Sequence, residues 1–214
     1  LDLTEEMKKT MDHWQTLGLR FDAVYSGFLG CTEQIGVVED FIRRFRKDNA
    51  LAVVDPVMGD NGVRYVTYTD EMCEATCRLR EKADVITPNL TEAAFLLGEE
   101  YETLPRADAG YAELCRALSG GGVRSVVLTG VSDGADTLGA AVFDRETGDY
   151  LVTLGMKKDS HLGGVAFDGE NLWVCHSNSN TLERISYEYI RLIAEDAPGY
   201  CIDASAISDE YYLR

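Results

Sequence analysis

The 214 residues, 45% hydrophobic and 27% charged, suffice for one domain, or one and a fraction, with a sizeable buried core and the composition of an ordinary globular protein. The net charge is 20 − 37 = −17, and both 1–150 and 151–214 are acidic, which argues against a cationic face for nucleic acid. No apolar run approaches the length of a membrane helix, and Leu1-Asp2-Leu3-Thr4-Glu5-Glu6 has neither the basic start nor the apolar stretch of a signal peptide.

The chain does not begin with Met, which points to a start inside a longer reading frame. Residues 4–17 place Met7, Met11, Trp14 and Leu17 at helical steps, predicting a helix with one apolar stripe that Gly18 stops. Residues 21–27 read as a short strand. A second helix is predicted over 32–46, with Ile35, Val38, Phe41, Ile42 and Phe45 on one face. The run Leu51-Ala52-Val53-Val54-Asp55 has the near-continuous apolarity of a strand buried on both faces of a parallel sheet. A turn-rich loop, Pro56 to Gly62, follows it. Helices over 69–82, 91–97 and 111–118 alternate with strands over 83–88 and 125–130. Such alternation predicts a doubly wound, mainly parallel α/β sheet, in which ligands bind at the carboxyl ends of the strands.

Three polar clusters fall at those strand ends. Asp55-Pro56-Val57-Met58-Gly59-Asp60-Asn61-Gly62 sets a carboxylate beside exposed backbone amides, a pairing that can hold a hydrated cation and approach phosphate closely. In Thr87-Pro88-Asn89-Leu90-Thr91-Glu92, Asn89 and Glu92 stand three apart at a helix start, so their oxygens can converge on one Mg²⁺ water shell. Thr129-Gly130 offers a hydroxyl and an unhindered backbone for phosphate. Each has a plainer reading: a turn Asp, an N-cap with its N3 acidic partner, and an ordinary strand end. Their order, all at strand ends, favours the functional set.

On Tyr25-Ser26-Gly27-Phe28-Leu29-Gly30, Asp55-Pro56-Val57-Met58-Gly59-Asp60, Ile86-Thr87-Pro88-Asn89-Leu90-Thr91-Glu92-Ala93 and Val127-Leu128-Thr129-Gly130, residues 21 to about 150 resemble bacterial pyridoxal/pyridoxamine kinases of the ribokinase-like superfamily. The resemblance implies transfer of the γ-phosphoryl group of ATP, with Mg²⁺, to the 5′-hydroxyl of pyridoxal, pyridoxine or pyridoxamine. It implies that Asp55 organises the metal and phosphates, and that Asn89 and Glu92 supply the family's Asn-x-x-Glu motif. Tyr65 and Thr129 fall where members contact ATP. Asp55 and Glu92 are the implied metal residues, a B6 vitamer the small-molecule partner and a homodimer the common assembly. A hydroxymethylpyrimidine kinase shares the Asp-Pro-Val-Met-Gly-Asp stretch, and a non-catalytic nucleotide-binding or interaction module is the alternative from another class.

The family's Gly-x-Gly-Asp, whose Asp is the base and whose amides form an anion hole, is not found in these residues. The first strands of the family should precede Leu1. The expectation is therefore a kinase core over 1–150, truncated and with little or no activity. Over 151–214 the pattern changes to short strands at 163–167, 171–175 and 181–185, resembling one β-propeller blade, so that the chain reads as a hybrid, by gene fusion or by artefact of assembly, joined at the Thr147-Gly148 turn. A helix is predicted at 190–197. Cys31, Cys73, Cys77, Cys115, Cys175 and Cys201 form no CxxC pair. Cys73 and Cys77 share a helix face but read as buried small hydrophobes, and scattered free cysteines point to a reducing compartment, the cytoplasm. His161 and His176 read as polar turn residues in the absence of a third ligand.

Overall fold

The computed structural model describes residues 1–132, 137–148, 150–157, 162–176, 181–186, 201–203 and 208–212. In chain order the elements are α1 (Thr4–Thr16), β1 (Phe21–Ser26), α2 (Thr32–Phe45), β2 (Arg46–Val54), β3 (Gly59–Asp60), β4 (Val63–Arg64), α3 (Asp70–Leu79), β5 (Val85–Ile86), α4 (Leu90–Leu97) and α5 (Asp108–Leu118). Then come β6 (Ser125–Val131), β7 (Thr137–Asp144), β8 (Tyr150–Lys157), β9 (Leu162–Phe167), β10 (Asn171–His176), β11 (Thr181–Ser186), β12 (Cys201–Asp203) and β13 (Ser208–Tyr212).

The central sheet has the order β1-β2-β5-β6-β7-β8-β12. Its β1, β2, β5 and β6 are mutually parallel, β7 and β8 are antiparallel additions, and β12 runs parallel to β8. The mixed α/β class with a mostly parallel sheet is thus as expected. A separate antiparallel sheet, β13-β11-β10-β9, and the small β3-β4 pair complete the described structure.

Apolar periodicity explains the core. On α2, Ile35, Val38, Ile42 and Phe45 recur every three or four residues, and all four are buried, the stripe that a helix lays on a sheet. Ala52, Val54, Ile86, Val126 and Leu128 of the central parallel strands are fully or almost fully buried, as covering both faces requires. Truncating one of the larger of these side chains to Ala removes about 2–5 kcal/mol. A satellite cluster fastens α1: Met11, Val37 and Phe45 are buried among Met7, Trp14, Phe21 and Phe41. The Phe41 and Phe45 rings lie 4.8 Å apart and those of Trp14 and Phe21 5.4 Å apart.

Strand bounds differ where pairing, rather than burial, defines a strand. β2 starts five residues before its apolar run, because Arg46 already pairs with Phe21 across a bulge while Lys47, Asp48 and Asn49 remain exposed. The strand expected over 83–88 shrinks to Val85–Ile86. Asp84 turns its carboxylate back to accept from the Ala52 amide (2.6 Å) and to pair with Arg46 (2.8 Å), and Pro88 has no N–H to donate.

The β7–β8 hairpin closes as the Asp-Arg-Glu-Thr-Gly turn predicts. Asp144 Oδ1 accepts from the amides of Glu146 (2.8 Å) and Thr147 (3.3 Å), and Gly148 takes φ +76°. β8 and β12, both beyond residue 149, belong to the central sheet, whereas β9, β10 and β11 form the expected meander with β13 at its edge. The helix expected at 190–197 and His161 lie outside the described residues. Among the described residues no helix is long and apolar enough to cross a membrane, and Cys31, Cys73, Cys77, Cys115 and Cys175 are free thiols.

Candidate active site

Because β2, β5 and β6 are adjacent and parallel, their carboxyl ends share one rim. Backbone bonds carry the sheet a rung further: Asp55 N–H donates to Ser26 O (2.9 Å), Thr87 N–H to Val54 O (3.2 Å) and Thr129 N–H to Pro88 O (2.8 Å). Asn89 and Thr129 form an isolated parallel bridge. The fold itself therefore sets Asp55, Asn89 and Thr129 side by side, with Glu92 one turn into α4.

Asn89 and Glu92 form a capping box. The Asn89 Oδ1 accepts from the Glu92 amide (2.9 Å) while Glu92 Oε2 accepts from the Asn89 amide (2.8 Å), satisfying orphan donors at both ends of the motif. The same two side chains hold the preceding loop. Glu92 Oε1 accepts from the Met58 amide (3.1 Å), and Asn89 Nδ2 donates to Gly59 O (2.9 Å). Glu92 is only 3% exposed. Burial pushes its carboxyl up to about 7, the charge of Asp55 adds to the rise, and the amides of Asn89, Met58 and Gly59 oppose it. Both of its oxygens face backbone amides, so Glu92 acts here as a strut between α4 and the 58–59 loop.

Asp55 is different in kind. It is half-buried and its Oδ2 accepts from the Tyr25 hydroxyl (3.2 Å). Burial raises its pKa, against the lowering effect of hydrogen bonds from Tyr25 and the Thr87 hydroxyl. Among the described residues no three His, Cys, Asp or Glu side chains are grouped to hold a metal. Mg²⁺ commonly takes one protein carboxylate, with phosphate and water for the rest of its ligands.

Glycines shape the rest of the rim. A Cβ on Gly59 would collide with Val63 O, so only glycine fits where β3 meets β4. The β3–β4 hairpin turns at Asn61 (φ +50°) and Gly62 (φ +76°), the Asn-Gly pair that a two-residue turn prefers, and the Gly62 amide donates to Thr91 Oγ1 (2.9 Å). Gly130, at φ +70° with open space around it, occupies the irregularity between Thr129 and Val131 in the β6–β7 register. Thr129 Oγ1 donates to Pro88 O (3.3 Å). Tyr65 follows the hairpin, with its amide on Met58 O (3.0 Å) and its side chain 40% exposed.

Three nearby residues went unassigned in the sequence reading: Tyr25, Thr87 and Phe28. Phe28 is 58% exposed in the loop after β1, edge-on to the ring of Tyr68 at 6.0 Å. A large aromatic in a strand-end loop is the signal that marks it.

The sequence pattern of the phosphomethylpyrimidine kinase family matches residues 6–160. The chain is 34% identical over 110 residues to the pyridoxal kinase PdxY of Deinococcus radiodurans, covering 50% of this chain and 37% of that protein. It is 37% identical over 117 residues to PdxY of Paraburkholderia phymatum, covering 53% and 39%. Among solved structures it is similar to the pyridoxal kinase of Lactobacillus plantarum (TM-score 0.64, 30% identity, 77% of this chain and 57% of that one). It is also similar to a Bacteroides thetaiotaomicron protein described as a candidate phosphomethylpyrimidine kinase and crystallised with pyridoxal (TM-score 0.63, 37% identity, 82% and 55%). The chain spans less than two thirds of the length of each. None of these similarities supports the propeller-blade resemblance or a fusion at Thr147-Gly148.

Proposed function

We propose that this chain, which belongs to the phosphomethylpyrimidine kinase family, carries the Mg²⁺–triphosphate face of an ATP-dependent kinase acting on the 5′-hydroxyl of a B6 vitamer. The observation that carries this reading is the convergence of Asp55, Asn89 and Thr129-Gly130 on the ends of three adjacent parallel strands. Phosphoryl transfer asks a protein chiefly for positioning and charge neutralisation around a loose transition state. Bound Mg²⁺ supplies the charge neutralisation on the triphosphate. Asp55 is the carboxylate available to it; Asn89 and Glu92 hold the 58–59 loop in place; Gly130 leaves room for close approach of a phosphate. Tyr65 stands beside the hairpin as a nucleotide contact. Exposed Phe28 presents a flat face at the rim for a heteroaromatic acceptor such as pyridoxal, the molecule crystallised with the Bacteroides protein.

A second reading, nucleotide binding without turnover, draws on the lack of a Gly-x-Gly-Asp run among these residues. Thermal unfolding with and without Mg-ATP tests the shared premise. At one hundred times Kd, binding stabilises by about 2.7 kcal/mol, which for a chain of this size raises Tm by about 5–10 °C. EDTA should abolish the shift. No Mg-dependent shift at millimolar ATP would remove both readings. Steady ATP consumption with pyridoxal separates the kinase from the binding module, and preference for hydroxymethylpyrimidine over every B6 vitamer would reassign the acceptor.

A further inference from the structure

We propose that Tyr25 is a positioning residue for Asp55, fixing the carboxylate's rotation so that it meets a triphosphate-bound cation in one orientation. The proposal rests on the reading of the rim given above. Along β1 the burial alternates: Val24 and Ser26 are buried, and Tyr25, on the opposite face, is 66% exposed. An aromatic so exposed on an outer strand of the sheet adds little to the core, so packing does not account for it. Its hydroxyl reaches across thirty residues of sequence to Asp55 Oδ2 at 3.2 Å.

The backbone fixes where Asp55 begins but leaves its side chain free to turn. Tyr25 pairs with Val53 and Ser26 with Val54, the Asp55 amide donates to Ser26 O, and Pro56 restricts Asp55 to extended backbone. Rotation of the carboxylate is then limited by the Tyr25 hydroxyl from β1, while the Thr87 side chain at the end of β5 lowers its pKa from the other side. Since β2 lies between β1 and β5, the carboxylate at the end of the middle strand takes its hydrogen bond from the outer strand β1. Holding a charged ligand in its bound rotamer before the cation arrives lowers the ordering cost of binding.

The test compares wild type, Tyr25→Phe, Asp55→Asn and the double variant in ATP titrations at fixed Mg²⁺ and in Mg²⁺ titrations at fixed ATP, with ligand-free melting of each. Tyr25→Phe keeps the ring and removes only the hydroxyl. The expected result is about three- to tenfold weaker Mg²⁺-dependent ATP binding, the scale of one net hydrogen bond. Binding without Mg²⁺ and the ligand-free Tm should change little, and Tyr25→Phe should add nothing in the Asp55→Asn background, as coupled residues behave. A wild type that fails to bind Mg-ATP ends the rim reading and this one with it. A wild type that binds, with Tyr25→Phe matching its Mg²⁺ dependence, ends this proposal alone. So does a Tyr25→Phe loss that persists in full in the Asp55→Asn background, or one that appears equally without Mg²⁺. Should Tyr25→Phe melt early, Tyr25→Leu, which keeps an apolar strand residue, must show the same Mg²⁺-specific loss.

Discussion

Replacing Glu92 by Gln should remove a pH-dependent loss of stability, so that the variant gains on the wild type as pH rises from about 5 to about 8. Glu92 is buried, and its carboxyl is raised from the ordinary 4.5 to about 7. Between those values the folded chain holds a proton that the unfolded chain has released, so unfolding releases it and stability falls as pH rises through the window. The gap corresponds to about 3 kcal/mol, fully lost above about pH 7. A carboxamide has nearly the shape of the carboxyl and never ionises, but it keeps only one oxygen. Glu92 holds the amides of Asn89 and Met58 on different oxygens, so one of them loses its acceptor at a pH-independent cost of about 1–3 kcal/mol. Urea unfolding of both proteins from pH 4.5 to 8.5 gives the comparison directly, because titrating groups other than Asp55, whose charge acts on Glu92, are common to both and cancel. Glu92→Gln should gain on wild type by about 3 kcal/mol across the window and then run parallel to it. If the wild type instead gains on the variant as pH rises, the amide hydrogen bonds outweigh burial, the folded carboxyl titrates below its ordinary value, and the account of this buried strut is wrong.

Gly59→Ala should cost about 1–3 kcal/mol, because its Cβ would collide with the Val63 carbonyl, a backbone atom that cannot swing aside; the urea midpoint measures it, and an unchanged midpoint would show that the hairpin relaxes freely. Asn89→Ala removes both the cap acceptor for Glu92 N–H and the donor to Gly59 O and should lower stability by about 1–3 kcal/mol. Chemical denaturation checks it, with weaker Mg-ATP binding as the companion readout if the 58–59 loop is displaced.

The parts of the fold legible in the sequence are those written in local burial. Ile35, Val38, Ile42 and Phe45 mark α2, and the apolar runs ending at Val54 and Leu128 mark central strands, because the side chains that face the core carry the pattern. Pairing is not local, and there the reading stopped short. Nothing in Arg46-Lys47-Asp48-Asn49 announces a strand, since those residues join β2 only through β1. Asn61-Gly62 is a hairpin signal that a run of turn formers concealed. Tyr25 and Thr87 were silent for the same reason: what each contributes is a hydroxyl aimed at a residue on another strand, and that aim is set by register. β8 pairs with β7 along its length, as the turn at Asp144–Gly148 implies, whereas the addition of β12 beside β8 has no local signal.

The strand-end residues also show why the plain and the functional readings of Asn89 and Glu92 need not compete. The capping box is present, which is the plain reading, and it occupies the Glu92 oxygens with backbone amides. Yet the amides and carbonyl it holds belong to Met58 and Gly59, in the loop that leaves Asp55. The cap therefore transmits the position of α4 to the loop bordering Asp55, a carboxylate that accepts from a side-chain hydroxyl, Tyr25, where Glu92 accepts from backbone amides. Hydroxyls orient a carboxylate without cancelling its charge, whereas a buried Glu titrating near 7 is in part neutral at physiological pH. In the reading proposed above, the charge offered to a cation at this rim comes from Asp55, with Glu92 deciding where the loop beside it stands. Variants at the two positions should then separate, Asp55→Asn acting on Mg²⁺ dependence with little effect on folding, and Glu92→Gln acting on the pH dependence of stability.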